Sequence, residues 1–514
     1  MSNRQSEPLG GPDVYCIVGV DPEVHAYAMA KYSRSALSMR QSLRELSQQR
    51  AEQFLNTFYF QYGHRSIADL AHISFAVERL SMLAAIAVVD EQKWDGQERS
   101  SRYQDFKKSG YYIPEVSPDL RHLFVSTIAR LFNEYEILSE ASLDHLCRLV
   151  PKPPDMAGEA YRRTLRARAF DIARYVLPLA TNTSVGQIVS ARTLENQIAR
   201  LAADPHPEVR QLAARLKEAA KSPPYNLRLE QLLTFFENLR NKSPDVDLSG
   251  VDDFLSNAPV APTLVKYAEA RAFDEATRTE LLQASSELLR NVAIAPAAPV
   301  SLVRPATLDV EIAASLIYEH SHHPYAQIVA LISDLPAHTR KEIIEVGIKH
   351  RGPYDEISRP FAAGQQFQFD ILMDIGGFRD MHRHRRCIQI LQPYTNVHGY
   401  SMPEQVSEVH RETEFRSLMD ECGALWNTFA GHEDKNIMSA SDYVLPLAFR
   451  RRALFKMDFA EVLYICELRS GPAGHFSYRR IAFDMYKTVD EREPELAKYI
   501  RVHDVNEPID LLRR

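Results

Sequence analysis

Val176-Leu177-Pro178-Leu179-Ala180 recurs letter for letter as Val444-Leu445-Pro446-Leu447-Ala448, an offset of 444 − 176 = 268. Working outward, His206-x3-Arg210-x2-Ala213 returns as His475-x3-Arg479-x2-Ala482 at an offset of 269. Upstream, Gly110-Tyr111-x2-Pro114 matches Gly399-Tyr400-x2-Pro403, and His64-Arg65 matches His350-Arg351. Each match alone is short enough to arise by chance. Four in the same order at similar offsets are better explained by a duplicated domain.

The seam between the copies is visible in composition. Residues 222–262 hold KSPPYN, NKSPDVDLSG and SNAPVAPT, rich in turn and linker residues, and 294–307 form a second Pro-rich piece. Between them, 264–292 has the spacing of an amphipathic helix. The expected division is a first domain over 1–240, a linker over 241–262 and a second domain over 263–514. Within the first copy, 14–20 (VYCIVGV) suits a buried strand, and 23–60, 119–148, 156–175 and 192–220 read as helices. Residues 70–89 are apolar in a way that leaves helix and strand unseparated. The second copy repeats the pattern from about 308. No long strand–helix alternation is present, so the expected fold class is α+β rather than a doubly wound parallel sheet.

The 514 residues suggest two to four domains, and 45% hydrophobic with 25% charged residues is ordinary for a globular chain with a normal core. A formal charge of −7 argues against wholesale nucleic-acid binding. No run approaches the roughly 20 apolar residues of a membrane helix. The first residues, MSNRQSEPLGGPD, lack the apolar core of a secretory signal. Cys16, Cys147, Cys387, Cys422 and Cys466 lie far apart with no CxxC pair, which fits reduced thiols and a cytoplasmic location.

Two clusters have the residue types for anion chemistry. Met381-His382-Arg383-His384-Arg385-Arg386 groups guanidiniums, which offer planar paired donors, between apolar flanks. Gln97-Glu98-Arg99-Ser100-Ser101-Arg102-Tyr103 groups hydroxyls and arginines as a phosphate cradle does. Read alone, either run is equally a polar loop. Glu319-His320-Ser321-His322-His323 has metal-ligand types but no helical HExxH spacing, so no metal site is expected. Neither a GxxxxGK[ST] loop nor a GxGxxG turn is present, so nucleotide binding needs other devices. Cys387, a lone cysteine in an apolar stretch, reads as a core thiol.

Taken together, these residues resemble the flavin-dependent thymidylate synthases, whose signature is Arg-His-Arg, seven residues, then Ser-x-Arg. The first copy supplies Tyr62-Gly63-His64-Arg65-Ser66, Asp69, Ser74-Phe75, Glu98 through Tyr103, Ala173 through Pro178, and Ser190-Ala191-Arg192-x3-Asn196. The second supplies Phe367-Gln368-Phe369, Arg383-His384-Arg385, the second VLP segment and Glu467-Leu468-Arg469. The departures are reciprocal. Where Arg-His-Arg should begin ten residues before Ser100, the first copy has Asp90-Glu91-Gln92. Where the cradle should follow Arg385, the second copy has Pro393 and Thr395, and Asp442 stands at the position of Arg174. Each copy keeps what the other lost.

The resemblance implies two tandem synthase-like domains forming an internal pseudo-dimer, with one site composed from both. It implies that Glu98, Arg99, Ser100, Ser101, Arg102, Arg174 and Arg383 bind dUMP. Ser66, Arg192, Asn196, Arg383, His384 and Arg385 would contact FAD, and Arg469 would be catalytic. Arg200 lies near another expected arginine, one residue out of register. The implied reaction moves the methylene of methylenetetrahydrofolate to C5 of dUMP, with reducing equivalents from FAD and ultimately NADPH. A hydroxymethylated product and a degenerate non-catalytic binding protein are the alternatives. The family forms tetramers, so two fused copies imply a homodimer. Asp380 stands where the family commonly has glutamine, three residues before Arg-His-Arg.

Overall fold

A computed structural model describes residues 15–31, 37–45, 65–243, 258–353 and 355–513. The chain forms two compact units. One is Met1–Ile73 with Val189–Glu195 and Arg215–Ala268; the other is Ser74–Ile188 with Asn196–Ala214 and Glu269–Arg514. Both sequence copies place most of their residues in the second unit.

The first unit carries helices Pro22–Lys31 and Met39–Glu45. The expected strand over 14–20 is not formed at its described residues, 15–20. Val18 is 79% exposed, Gly19 takes a positive φ of 75°, and Asp21-Pro22 starts a helix at once, so nothing holds this run extended in a core. Of the helix expected over 23–60, residues 32–36 and 46–60 lie outside the described residues. Buried Glu23 accepts from the backbone N–H of Thr263 and Leu264 at 2.7 and 2.8 Å, tying a turn of chain to the first helix. In the turn-rich stretch after 222, helix Leu227–Lys242 is capped by Asn226, whose side chain accepts from Leu229 N.

Residues 70–89 contain both structures that the apolar pattern left open. Strand β1 (His72–Ser81) runs directly into helix Met82–Val89, and Ser81 marks the change by accepting from Ala84 N at 2.9 Å. Strand β2 (Asp95–Glu98) and strand β3 (Asn182–Ser190) complete a sheet of order β1-β3-β2. Helices Pro118–Leu149 and Gly158–Ala173 match the expected spans. The helix read over 192–220 is two, Ala191–Ala202 and Pro207–Lys221, because Pro205 and Pro207 interrupt it.

After helix Ala272–Leu289, the second copy rebuilds the sheet. Strands β4 (Val300–Val303), β5 (Phe367–Asp374), β6 (Ile388–Leu391) and β7 (Arg450–Met457) take the order β4-β5-β7-β6, with β4 added. The registers repeat: Asp95 pairs Ile188 and Glu98 pairs Val185, as Ile388 pairs Lys456 and Leu391 pairs Ala453. Helix Ile375–Met381 follows β5 as Met82–Val89 follows β1. Its cap is Asp374, accepting from Gly377 N at 2.7 Å. Ser81 donates to Glu208, whereas Asp374 accepts from Ser477 at the matching place, so one contact is kept with its donor and acceptor exchanged.

The copies meet through their repeated pentapeptides. Leu179 N donates to Leu445 O at 2.9 Å, and Leu447 N donates to Leu177 O at 2.9 Å. Ala180 N donates to Tyr443 O and Ala448 N to Tyr175 O, both at 3.0 Å, around a bridge of Pro178 to Pro446. Each bond is the image of another under the 268-residue offset, the signature of an internal two-fold axis. Val176, Leu177, Leu179, Val444, Leu445 and Leu447 are all fully buried, so the axis lies in core. The architecture is α+β, two tandem copies forming an internal pseudo-dimer.

Candidate functional site

Strand β2 ends in Glu98 and delivers the loop of 99–104 to the junction of the copies. Arg99 is used within that loop. It donates to Gln104 Oε1 (3.1 Å), Ser109 Oγ (2.9 Å) and Asp105 O (2.8 Å), and it stacks on Phe106. Ser100 Oγ accepts from Arg102 N at 3.2 Å, and Ser101 is buried. Arg102 crosses to the second copy. Its Nε donates to Asp171 at 2.8 Å, while its Nη atoms donate to Tyr478 Oη at 2.8 Å and Ala473 O at 3.1 Å. Burial opposes its charge, but Asp171 more than compensates and raises its pKa.

Arg174 follows one turn after Asp171 and is 2% exposed. Its Nη1 reaches Ser101 Oγ at 3.4 Å, both Nη atoms reach Asp380 Oδ2 at 3.4 Å, and its Nε is buried without a partner. Asp380 lies in the last turn of the helix after β5. Burial opposes its charge, yet Arg174, Arg102, Arg383 and Arg469 together hold its pKa below the ordinary carboxylate value. Four guanidiniums, two from each copy, thus act on one carboxylate.

The basic cluster sits in the turn between that helix and β6. Arg383 is exposed, and Arg385 stacks its guanidinium 4.6 Å from the centre of the Trp94 ring. His384 is buried; its Nε2 accepts from Arg469 Nε at 2.8 Å and its Nδ1 faces Glu461 at 3.4 Å. Arginine can only donate, so His384 is the neutral tautomer with its proton on Nδ1. Burial lowers its pKa, in keeping with that form. A cavity of about 210 Å³ opens beside the cluster, lined by Trp94, Gly96, Glu98, Arg379, Arg383 and Arg385. Glu98 is paired there with Arg379, whose Nε is buried without a partner.

The flavin-motif residues of the first copy are placed differently. Tyr62-Gly63-His64 lie outside the described residues, and Ser66 is exposed on the turn Arg65–Leu70. In the same unit Asp69 accepts from Arg192 Nη1 at 3.2 Å and from Ser190 Oγ at 3.4 Å. Asn196 is one helical turn after Arg192, and its carbonyl accepts from Arg271 at 3.5 Å.

The symmetry-related position has inverted chemistry. Arg200 pairs with Glu91 at 2.7 Å as Arg469 meets His384, and Arg359 pairs with Asp90 at 2.5 Å. About 10 Å³ of space remains beside Asp90-Glu91-Gln92, room for one water at most. In place of Arg174, Asp442 accepts from His206 Nε2 at 3.1 Å, while His206 Nδ1 donates to Asp204 at 2.8 Å. Arg200, one residue out of register in the linear reading, occupies the position related to Arg469 by the same offset that relates His206 to His475.

The linear reading missed Asp171, Tyr478, Glu461, Trp94 and Arg379. Asp171 had a signal, a carboxylate one turn before Arg174; Tyr478 lies inside the repeated His-x3-Arg motif. Trp94 and Arg379 had none, since only folding brings them to the cavity. Cys387 is buried, donates to His384 O at 2.8 Å and has its pKa pushed up to about 12 by burial, which makes it inert as a nucleophile. Among the described residues no group of three His, Cys, Asp or Glu could hold a metal ion, and no helix is long and apolar enough to cross a membrane.

The family model described as thymidylate synthase complementing protein matches this chain twice, over residues 18–223 and 305–495. A protein of Chlamydia muridarum named UPF0159 protein is 29% identical over 517 residues, covering 95% of this chain and 91% of its own. A flavin-dependent thymidylate synthase of Clostridium tetani is 26% identical over 179 residues, covering 34% of this chain and 68% of its own. A crystal structure of the Helicobacter pylori flavin-dependent thymidylate synthase ThyX, complexed with FAD and dUMP, overlaps 39% of this chain and 89% of its own. The TM-score is 0.24 and the identity 15%. With both matched regions together spanning well over half its length, the chain belongs to the thymidylate synthase complementing protein family, as a tandem duplication.

Proposed function

We propose that the chain is a flavin-dependent thymidylate synthase with one composite site, converting dUMP to dTMP. The observation that supports this most is that Arg102 and Arg174 of the first copy reach Tyr478, Ala473 and Asp380 of the second, where the charges of Arg383 and Arg469 also act on Asp380. A phosphomonoester needs several positive donors in a partly dry pocket, and neither copy assembles them alone. On this reading Arg102, Arg174, Ser100 and Ser101 hold the phosphate, with Arg383 beside them, while Glu98 and Arg99 brace the loop that carries them. The division into 1–240, 241–262 and 263–514 belongs to the same proposal.

The residues beside the cavity fit FAD: Arg379, Arg383 and Arg385 offer donors to a pyrophosphate, and one of those donors, Arg379 Nε, is buried without a partner. Bound there, FAD supplies the redox chemistry, fed by NADPH, that a methylene carried by methylenetetrahydrofolate requires to become a methyl group. Ser66, Arg192 and Asn196 are assigned to flavin by resemblance alone. Arg469 is the catalytic residue. A guanidinium beside the uracil favours its N3-deprotonated form and enriches C5 in electron density. Neutral His384 accepts from Arg469 Nε, and Glu461 faces the proton-bearing nitrogen of the ring, so the pair fixes the direction of the guanidinium plane.

The test is mass analysis of nucleotide after anaerobic incubation of the protein with dUMP, methylenetetrahydrofolate, FAD and NADPH. The expected product has the mass of dTMP. A hydroxymethyl product would replace the methylation reading, and unchanged dUMP from folded, flavin-loaded protein would remove it. Two family copies per chain also support a homodimer, checked by light scattering at twice the chain mass. Five cysteines without a disulfide support a cytoplasmic location.

A further inference from the structure

Arg174 and Arg102 are buried side by side, but they are held differently. Arg102 has a made-to-measure carboxylate, Asp171, at 2.8 Å. Arg174 reaches a single oxygen of Asp380 from both Nη atoms at 3.4 Å, beyond the 2.7–2.9 Å of a well-formed charged hydrogen bond. Its Nε is buried with no partner. Elsewhere in the fold a buried pair of this kind approaches more closely, as Arg452 Nη1 does to Asp370 at 2.9 Å. Asp380 also lies in the last turn of a helix, where the exposed carbonyls disfavour a carboxylate. Arg174 meets it directly, and the charges of Arg102, Arg383 and Arg469 add to those that lower its pKa.

Building on the phosphate role given to Arg174 above, we propose that Asp380 is a resident counter-anion, which an incoming phosphomonoester displaces from Arg174. Asp380 thereby raises the binding energy an anion needs in order to occupy the site. It keeps the guanidiniums partly neutralised, and it admits a phosphate only when base and sugar contacts add to the binding. Inorganic phosphate, lacking those contacts, is rejected. A like charge about 5 Å away at an effective dielectric near 20 is worth roughly two powers of ten in binding.

The experiment is calorimetric titration of the full chain with inorganic phosphate and with dUMP, comparing Asp380→Asn and Asp380→Gln with the parent. Both variants are expected to bind inorganic phosphate about 10- to 100-fold more tightly and dUMP by a similar factor, because both ligands bring a phosphate to the same carboxylate. Arg174→Gln in the same background should erase the gain. Equal or weaker phosphate binding in whichever variant folds, or a gain for dUMP without one for inorganic phosphate, would overturn the proposal. The outcomes separate it from the enzyme reading: tighter phosphate binding without dTMP formation keeps the counter-anion and removes the synthase. Turnover of dUMP with no change in phosphate affinity does the reverse.

Discussion

Arg102 and Arg469 show how single residues acquire different tasks from their partners. Arg102 answers Asp171, so Arg102→Ala breaks a buried ion pair; a loss of about 3–5 kcal/mol in chemical denaturation is expected. Arg469 donates to a neutral ring and shares the field on Asp380 with three other arginines, so on the proposed reading Arg469→Ala should cost little stability while lowering dTMP formation by about 10²–10³-fold, read by single-turnover kinetics. Cys387, with its pKa near 12, should stay unlabelled by a thiol reagent at pH 8 in the native chain, whereas exposed Cys16 reacts; peptide mass spectrometry checks both. The motif letters of Arg102, Arg174, Arg383 and Arg469 were legible in the sequence. Their joint action on Asp380 was not, because it depends on four segments spread over 469 − 102 = 367 residues of chain.

At the scale of elements, β7 is the instructive case. Its sequence, RRRALFKM, reads as a half-exposed basic strand, yet every residue after Arg450 is buried. Lys456 donates to Glu311 and Ser315 at 2.8 Å each, and Arg452 donates to Asp370 at 2.9 Å, so charges form part of the sheet's covered face. Glu311→Ala should cost about 3–5 kcal/mol by leaving Lys456 unpaired, and Glu311→Leu with Lys456→Met should recover most of it in denaturant titrations. The related residue in the first copy, Ile188, is 51% exposed, so the repeat itself carried no sign of this pair. Helix spans were legible where apolar spacing was long, as over 118–149. The strand over 72–81 was not, because an apolar run of that length carries no period able to separate it from the helix that follows.

For the whole molecule, the two-fold axis gives two related positions of which one is filled by ion pairs. Titration with dUMP should therefore saturate at one nucleotide per chain; a value of two would show the position of Asp442 and His206 to be open. That position also gives the chain a pH dependence. Burial opposes a charged His206 ring, but its hydrogen bonds to Asp204 and Asp442 prevail and raise its pKa from 6.5 to about 10. A raised folded-state pKa gives stability that is complete below about pH 6.5 and is lost as pH rises toward 10. Melting temperatures should fall across that interval in the parent and fall less in Asp442→Asn.

The duplication, the α+β class and the division of one signature between two copies were determined by the sequence itself, because they rest on residue identity and spacing, which survive without coordinates. Only the tertiary structure decided that the copies join by exchanging backbone bonds around Pro178 and Pro446, that Arg174 of one copy meets Asp380 of the other, and that ion pairs occupy the related position. Those outcomes are set by distances between residues far apart in the chain and by loss of water around them. Burial is what turns a list of charges into a pairing.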